Sequence, residues 1–402
     1  SHQFGEMIRA NEANQKLFID RYCEEGLQIR YWWMDAGWYP DDGNWQSTGT
    51  WEVDKVRFPN GIRAVSDHAH SKGIKTILWF EPERVAPGSW LYENKSDWLL
   101  VPPTAPDDQA YDRKWRLLNL GNPEALAWLI SRVGTIIDEE GVDLYRQDFN
   151  LDPLIFWRAA DASDRQGISE IKYVTGYLAF WDALTSQRPS LRIDTCASGG
   201  RRLDLETLRR SVPLLRSDCL FEPISQQCHS YGISQWVPYH GTGTLIGKSE
   251  VGQNTTDKLD PYDFRSHMSC SVTACWDMRD HNLDYEELRR LTSQLRNVSP
   301  SYLADYYPLL PYTLSPDAWI AWQFDSPKDG TVVIHAFRRE KNMEQTQFLR
   351  LHALDQTAQY TVRNLDSGIE TTLSGVELTS KGLSLTLITP RSAALLTYRK
   401  AK

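Results

Sequence analysis

The sequence predicts an α/β fold: a (β/α)8 TIM barrel followed by a C-terminal antiparallel β-sandwich. Over about the first 300 residues, short apolar runs alternate with stretches of helical periodicity, which is typical of repeated β-α units. After about residue 310, short alternating runs are divided by turn sequences such as DSP, KDG and DSG, which indicates antiparallel strands. We therefore expect a barrel domain over residues 1–308 and a sandwich domain over residues 309–402.

Eight apolar runs are the candidate barrel strands. In chain order they are 28–34, 75–80, 116–120, 142–147, 191–195, 212–216, 239–245 and 270–276. A doubly wound open sheet would give the same alternation. No GxGxxG follows the first run, which weakens that alternative.

Helical periodicity recurs between these runs. The predicted helices are 11–25, 60–72, 123–140, 168–187, 203–211, 223–236, 260–268 and 284–298. Asp284 is the expected N-cap of the last helix, because an aspartate side chain can accept hydrogen bonds from free N–H groups of the first turn.

Composition excludes several classes of function. A net charge of −9 argues against nucleic acid and anionic membranes as partners, since both attract basic surfaces. The six cysteines form no CxxC pair, so we expect reduced thiols and no zinc site. The first residues carry no apolar leader segment, and SH at the start could be a tag remnant; a cytoplasmic location is expected unless a leader was removed. Sixteen tryptophans suit either sugar binding or a large core.

Two segments end an apolar run on an arginine and an aspartate: LYRQDFN (144–150) and LLRSDC (214–219). At the carboxyl ends of barrel strands, Asp148 and Asp218 would face the same mouth, although each alone could be an ordinary cap. Hydrolysis of a glycosidic bond needs two such carboxylates. Arg146 would keep Asp148 ionised, while the apolar run before Asp218 would favour its protonated form.

Two further strand ends carry polar groups. DTCASGGRRLDLETL (194–208) leads through a small-residue loop into a helix start, where backbone N–H groups can approach a ligand. A βα turn that simply needs glycine is the alternative, and the phosphate-binding pattern GxxxxGK[ST] is absent. Asp35 lies between Trp33 and Trp38, and a carboxylate among aromatic residues needs partners.

Taken together, these blocks resemble glycoside hydrolase family 36, the melibiase-type α-galactosidases of clan D. The likeness runs from about residue 12 into the sandwich and rests on GTWEVDKVRFPNGI, SKGIKTILWFEPERVAPGSWLY, DTCASGGRRLDLETL and LRSD, in the family's order. It implies a retaining, exo-acting α-galactosidase that acts on an oligosaccharide or glycoconjugate without a metal or cofactor. By the same resemblance, Asp148 is the nucleophile, Asp218 the acid/base, and Asp35 holds the sugar's O4 and O6. The other residues expected to line the sugar site are Trp79, Arg113, Arg146, Cys196 and Gly199.

The sequence departs from the family pattern at three positions of this site. Ala36 replaces the second of two adjacent aspartates, and Arg146 and Gln147 replace the Lys-Trp pair before the nucleophile. An arginine offers a planar fork where a lysine offers a point charge, so sugar specificity is affected. An α-N-acetylgalactosaminidase, an α-glucosidase or a transglycosylase are therefore alternatives, and an inactive carbohydrate-binding protein is the alternative from another class.

The family's large N-terminal β-sandwich is also not seen in this sequence, which begins almost at the barrel. In the family that domain supports oligomer assembly. We therefore expect either a fragment or a member of a shorter branch of the family, and we leave room for a homo-oligomer.

Overall fold

The computed structural model describes residues 8–40, 42–103, 114–246, 259–326 and 331–401. They form two compact units. The first contains the described residues up to Pro213 together with Asp277–Arg279, and the second contains the remaining described residues from Leu214 onward. The domain boundary expected between residues 308 and 309 stays a prediction.

The helices of the described residues include a counterpart for each of the eight predicted, together with three short ones over 90–94, 154–160 and 375–380 that were not predicted. They are α1 (Glu12–Glu24), α2 (Arg63–Ser71), α3 (Trp90–Asn94), α4 (Pro123–Glu140), α5 (Leu154–Ala160), α6 (Ile168–Gln187), α7 (Leu205–Leu208), α8 (Pro223–Ile233), α9 (Pro261–Ser266), α10 (Tyr285–Val298) and α11 (Gly375–Ser380). Asp284 caps α10 as expected, since its side chain accepts from Glu287 N.

Several strands are shorter than the apolar runs that predict them and one matches its run, and the described residues contain seventeen strands. They are β1 (Tyr31–Met34), β2 (Lys75–Phe80), β3 (Arg84–Val85), β4 (Leu99–Leu100), β5 (Arg116–Leu118), β6 (Leu144–Gln147), β7 (Arg192–Thr195), β8 (Gly241–Ile246), β9 (Ser271–Trp276), β10 (Asp305–Pro308), β11 (Trp319–Ser326), β12 (Thr331–Arg338), β13 (Thr346–Leu349), β14 (Gln359–Asn364), β15 (Glu370–Ser374), β16 (Leu383–Thr386) and β17 (Ser392–Lys400).

The first unit is built on a parallel sheet with the order β1-β2-β6-β7. Helix α2 packs on β2 and α4, and α4 packs on α6. Gly176 of α6 lies against the chain at Leu120, where a Cβ atom would come within 1.9 Å of the carbonyl oxygen. Only glycine allows this close approach of α6 to the loop after β5. The carboxyl ends of the four parallel strands meet at one edge of the sheet.

Two of the expected barrel strands differ in the structure. The run 116–120 contains β5, which pairs antiparallel with β3 and β4 in a separate small sheet. The run 212–216 is not a regular strand: Val212 forms an isolated bridge with Asp194, and Arg216 N donates to Gly241 O. Both runs are buried as expected, but apolar character alone does not decide which strand pairs with which.

The second unit contains the parallel pair β8-β9 and an antiparallel sheet with the order β10-β11-β12-β17-β14-β15, together with the pair β13-β16. One face of this sheet builds a core that includes Ile334 and Leu396. On the other face, His335 contacts Tyr302 and Phe337 packs against Tyr262. Burial on both faces explains why the central strands are apolar almost throughout rather than strictly alternating.

Within the described ranges, no helix combines the length and the apolar character that crossing a lipid bilayer would require.

Candidate active site

Strand β6 presents two different faces, because successive side chains of a strand point to opposite sides. Tyr145 and Gln147 share one face, where the Tyr145 hydroxyl donates to Gln147 Oε1 at 2.8 Å. Arg146 and Asp148 share the other. The backbone N–H of Asp148 donates to Phe80 O at 2.8 Å, so the aspartate continues the pairing of β6 with β2. Asp148 therefore stands at the carboxyl edge of the parallel sheet.

Four N–H groups hold the Asp148 carboxylate. Oδ1 accepts from the backbone of Phe149 at 2.7 Å and of Ser198 at 3.2 Å. Oδ2 accepts from Asn150 Nδ2 at 2.8 Å and from Trp79 Nε1 at 3.3 Å. These donors come from three separate segments of the chain, so the carboxylate has a fixed orientation.

The Asp148 carboxylate is kept ionised. Burial alone would raise its pKa, but the charge of Arg146 and hydrogen bonds from Asn150 and the Cys196 thiol outweigh burial, so that the pKa is lowered. A carboxylate that acts as a nucleophile must be ionised and correctly oriented.

Arg146 is buried among three side chains. Its Nη1 donates to Asp194, a fully buried carboxylate that is its partner in the β6-β7 register. Its guanidinium lies 4.3 Å from the ring centroid of Trp33, and its Nε lies 3.8 Å from Asp35 Oδ2. The stack and the ion pairs fix the plane of the guanidinium beside Asp148.

Asp35, which directly follows β1, has the opposite electrostatic character to Asp148. It accepts from Trp33 Nε1 at 3.0 Å and from Ala36 N at 2.9 Å. Burial nevertheless raises the pKa of Asp35, with the negative charge of Asp148 adding to the effect and Arg146 opposing it. Two neighbouring carboxylates with pKa values shifted in opposite directions are typical of a functional site.

The loop after β7 brings backbone groups to the same place. Ser198 and Gly199 both have positive φ angles, 46° and 84°, which turn the Ser198 N–H towards Asp148. The Ser198 hydroxyl donates to Asn150 Oδ1 at 2.7 Å. Cys196, buried at the start of this loop, donates its N–H to Gln147 O at 2.7 Å. The expected small-residue loop thus supports the carboxylate of Asp148 through its backbone.

Another buried carboxylate, that of Glu81, is linked to Asp148 through Asn150. Glu81 follows β2, accepts from Asn150 N at 2.5 Å and pairs with Arg84. Burial raises the pKa of Glu81 to about 7; Arg84 lowers it, while Asp148 raises it further. Asn150 therefore links Glu81 to Asp148 through its backbone N–H and its side chain.

Glu83 is the centre of a buried network on the opposite face of β6. It accepts from Gln147 Nε2 at 2.6 Å, from both terminal nitrogens of Arg202 at 2.6 and 2.7 Å, and from the Tyr173 hydroxyl. Gln147 also accepts from Trp181 Nε1 at 2.7 Å. Gln147, which replaces the tryptophan of the family pattern, therefore finds hydrogen-bond partners for both groups of its side-chain amide in the core.

The predicted site residues of the first unit come together around Asp148. They are Asp35, Trp79, Arg146, Cys196 and Gly199, the last through its loop. The ring of Trp79 is buried, so the indole N–H is the group that it offers to Asp148. Asp218 lies in the second unit with an exposed side chain, and its pairing with Asp148 stays a prediction. Arg113 lies outside the described residues.

Four residues that the sequence reasoning did not assign also belong to this site: Asn150, Ser198, Asp194 and Glu81. Asn150 and Ser198 could have been found from their position beside an expected site residue. Asp194 lies within β7 and meets Arg146 only through the β6-β7 register, whereas Glu81 directly follows β2 and pairs with Arg84 three residues along the chain. Among the described residues, no group of His, Cys, Asp or Glu side chains is arranged to hold a metal ion.

Comparison with known proteins identifies relatives along nearly the whole chain. Residues 11–300 match the Melibiase family model, and residues 319–397 match the glycosyl hydrolase family 36 C-terminal domain. Alpha-galactosidase Mel36A of Lactobacillus acidophilus is 28% identical over 281 residues, which are 69% of this chain and 36% of that protein. Alpha-galactosidase C of Emericella nidulans is 27% identical over 384 residues, which are 90% of this chain and 48% of that protein.

Solved structures show the same fold. The GH36 alpha-galactosidase AgaA of Geobacillus stearothermophilus in complex with stachyose superposes with a TM-score of 0.84 at 20% identity, over 98% of this chain and 54% of that one. The alpha-galactosidase of Lactobacillus brevis gives a TM-score of 0.85 at 20% identity, over 98% and 53% of the two chains. This likeness confirms the expected fold, a (β/α)8 barrel followed by a C-terminal antiparallel β-sandwich.

The chain spans about half the length, or less, of the curated relatives reported above. With the Melibiase model matched over residues 11–300, with the family's C-terminal domain behind it, and with an ionised aspartate held at the carboxyl edge of the sheet, the chain belongs to the melibiase family, glycoside hydrolase family 36.

Proposed function

We propose that the protein is a retaining, exo-acting α-galactosidase in which Asp148 is the nucleophile. The observation that carries this proposal is the arrangement around Asp148: four N–H donors orient its carboxylate while Arg146 helps to keep it ionised. A carboxylate so held is ready to attack an anomeric carbon and has no need of a separate base.

The reaction would proceed in two displacements. In the first, an oxygen of Asp148 bonds to the anomeric carbon while Asp218 donates its proton to the departing glycosidic oxygen, which leaves as an alcohol. In the second, Asp218 takes a proton from water, the hydroxide attacks the anomeric carbon, and the bond to Asp148 breaks. Two inversions release the sugar with the α configuration that it had in the substrate.

We propose that the terminal sugar is bound beside Asp148 by the residues that the family resemblance indicates. Asp35, Arg146, Cys196 and the loop of Gly199 already lie around Asp148, which supports this assignment. Trp79 would orient the nucleophile, and Arg113 belongs to the same proposal.

The leading substrates are oligosaccharides or glycoconjugates that end in α-linked galactose. The relatives carry the name alpha-galactosidase, and AgaA was solved with stachyose. Location in the cytoplasm and assembly into a homo-oligomer are further proposals, and size-exclusion chromatography with light scattering would test the second.

Parallel assays with p-nitrophenyl α-galactoside, α-N-acetylgalactosaminide and α-glucoside test the proposal, with Asp148→Ala and Asp218→Ala as the matched variants. We expect a preference for the galactoside, loss of turnover in Asp148→Ala, and an α-configured first product by NMR. Full activity of Asp148→Ala, or a β-configured first product, would overturn the mechanism.

A preference for one of the other two sugars would keep the mechanism and overturn the galactoside assignment, and would point to Ala36 and Arg146. Product analysis in the presence of an acceptor sugar distinguishes hydrolysis from transfer. Binding of galactosides without turnover, unchanged in Asp148→Asn, would instead indicate a carbohydrate-binding protein.

A further inference from the structure

The segment that carries Asp218 is outside any helix or strand, yet it is anchored on both sides. Before it, Arg216 is buried and its backbone N–H donates to Gly241 O at 3.2 Å. After it, Leu220 O lies 3.0 Å from His267 Nε2. Cys219 O accepts from Gln226 Nε2. The backbone is therefore tied down within two residues of Asp218 in each direction.

Arg216 joins this segment to two other parts of the second unit. Its Nη2 donates to Gln226 Oε1 at 3.0 Å, to Gln226 O at 3.1 Å and to Ser230 Oγ at 2.9 Å, all on α8. Its Nη1 donates to His240 Nδ1 at 2.8 Å, just before β8. The planar fork of a guanidinium is needed to reach acceptors on both elements at once.

Gln226 connects Arg216, which precedes Asp218, with Cys219, which follows it. Its side chain is buried on α8, its Oε1 accepts from Arg216, and its Nε2 donates to the carbonyl oxygen of Cys219. A single amide thus bridges the residue two positions before Asp218 and the residue directly after it.

The acceptors of Arg216 are unusual for a buried cation. In the part of the chain that the structure describes, Arg216 forms no ion pair with a carboxylate, and its partners are an amide, a hydroxyl, a backbone carbonyl and an imidazole. A buried charge without a counter-charge is costly. Apolar residues in place of Arg216 would stabilise the core equally well. We therefore attribute the buried arginine to the position that its hydrogen bonds impose on the segment that carries Asp218.

We propose that Arg216 and Gln226 form a clamp that positions the carboxyl group of Asp218 for proton transfer to and from the glycosidic oxygen. This inference rests on the proposed role of Asp218 as acid/base. Both are positioning residues, since neither is placed in contact with the substrate. The clamp matters because a general acid works only within hydrogen-bond reach of the atom that it protonates, and Asp218 has no regular element to hold it.

A pair of substrates that differ in their leaving group tests the clamp. Phenyl α-galactoside needs a proton on its departing oxygen, whereas 2,4-dinitrophenyl α-galactoside does not, because its phenolate is stable. For Gln226→Leu we expect kcat/KM to fall about 10- to 100-fold on the phenyl substrate and by less than about threefold on the dinitrophenyl substrate.

Gln227→Leu is the matched control. Gln227 is the next residue of α8 and equally buried, but its amide bonds Tyr262, Ser266 and Arg339 rather than the Asp218 segment. We expect any loss in Gln227→Leu to be the same on both substrates. An equal loss on both substrates in Gln226→Leu would overturn the clamp and leave a purely structural role.

Asp218→Ala separates failure of the clamp from failure of the proposed function. If Asp218→Ala shows no leaving-group dependence, Asp218 is not the acid and the proposed mechanism is wrong. If it shows that dependence and Gln226→Leu does not, only the clamp is wrong. Should Gln226→Leu fail to fold, Ser230→Ala removes one acceptor of Arg216, and we expect the same selectivity for the phenyl substrate at about a threefold loss.

Discussion

Asp194 and Arg146 are register partners in adjacent parallel strands, and the Asp194 carboxylate accepts a hydrogen bond from the Arg146 guanidinium. Asp194 is fully buried and Arg146 nearly so. The pair fixes the cation that helps to keep Asp148 ionised and that lies beside Asp35. The electrostatics of the site therefore depend on a carboxylate that is not itself placed next to the substrate.

Asp194→Asn tests this dependence. Breaking a buried ion pair leaves a charge without its partner, so we expect the free energy of unfolding to fall by about 3 kcal/mol. Asp182→Asn is the control, because Asp182 pairs with Arg210 while its own side chain is 54% exposed, and we expect a loss below about 1 kcal/mol. Urea denaturation measures both, and similar losses in the two variants would contradict the prediction.

Asn150→Asp places a second carboxylate beside Asp148 in place of a donor at 2.8 Å. The like charge raises the pKa of Asp148, so the nucleophile becomes protonated at higher pH and the acid limb of kcat/KM moves up by at least about one pH unit. Ser198→Ala removes the hydroxyl's hydrogen bonds with Asn150 and Arg201 and keeps the backbone donor to Asp148, so its acid limb should move much less. A pH–rate profile of all three proteins checks this, and an unmoved limb in Asn150→Asp would count against Asp148 as the nucleophile.

Glu81 should give the protein a characteristic pH dependence of stability. Burial raises its pKa from an ordinary value of 4.5 to about 7, so between these values the folded state keeps a proton that the unfolded state has lost. The free energy of unfolding then falls as pH rises through this window, by about 3 kcal/mol in total, and is level above it. Glu81→Gln has no such proton. In urea unfolding between about pH 4.5 and about pH 7.5, the free energy of unfolding of the parent protein should therefore fall by about 3 kcal/mol relative to that of the variant.

Ala36→Asp restores the second carboxylate of the family pattern beside Asp35. A carboxylate that accepts from a sugar hydroxyl is expected to raise the ratio of kcat/KM for the α-galactoside over the α-glucoside about tenfold. Ala36→Asn has the same size without the charge and should change the ratio less. An unchanged ratio in both variants, with stability preserved, would show that position 36 does not set sugar preference.

The helices and several strands could be predicted because their signals are local. The ends of α4 and α6 coincide with the ranges that periodicity predicts, 123–140 and 168–187, and β2 coincides with the apolar run 75–80. The runs at 116–120 and 212–216 were wrong as barrel strands because strand pairing is a long-range property. β5 pairs with β3 and β4, and Arg216 of the second run donates hydrogen bonds to α8. The sequence predicted that both runs are buried, but it did not predict the segments with which they pair.

Some residues of the site could likewise be recognised from the local sequence, whereas others come together only through the fold. Asp148 and Arg146 could be recognised because arginine, aspartate and a preceding apolar run stand next to each other in the sequence. Glu81 meets Asn150 only across the sheet, and Asp194 meets Arg146 only through the β6-β7 register. Ser198 acts mainly through a backbone N–H in a conformation with positive φ, which no side-chain pattern records.

The two faces of β6 also bear on how this enzyme family can diversify. Positions 146 and 148 face the site for which we propose the reaction, whereas 145 and 147 belong to the Glu83 network in the core. An exchange at 146 must therefore keep a cation opposite the buried Asp194, whereas the replacement of a family tryptophan at 147 is accommodated by the hydrogen bonds of Gln147 with Glu83 and Trp181. Alternate residues of this short strand thus answer to different constraints: 145 and 147 must suit the core, while 146 must suit both the buried Asp194 and the sugar site that we propose.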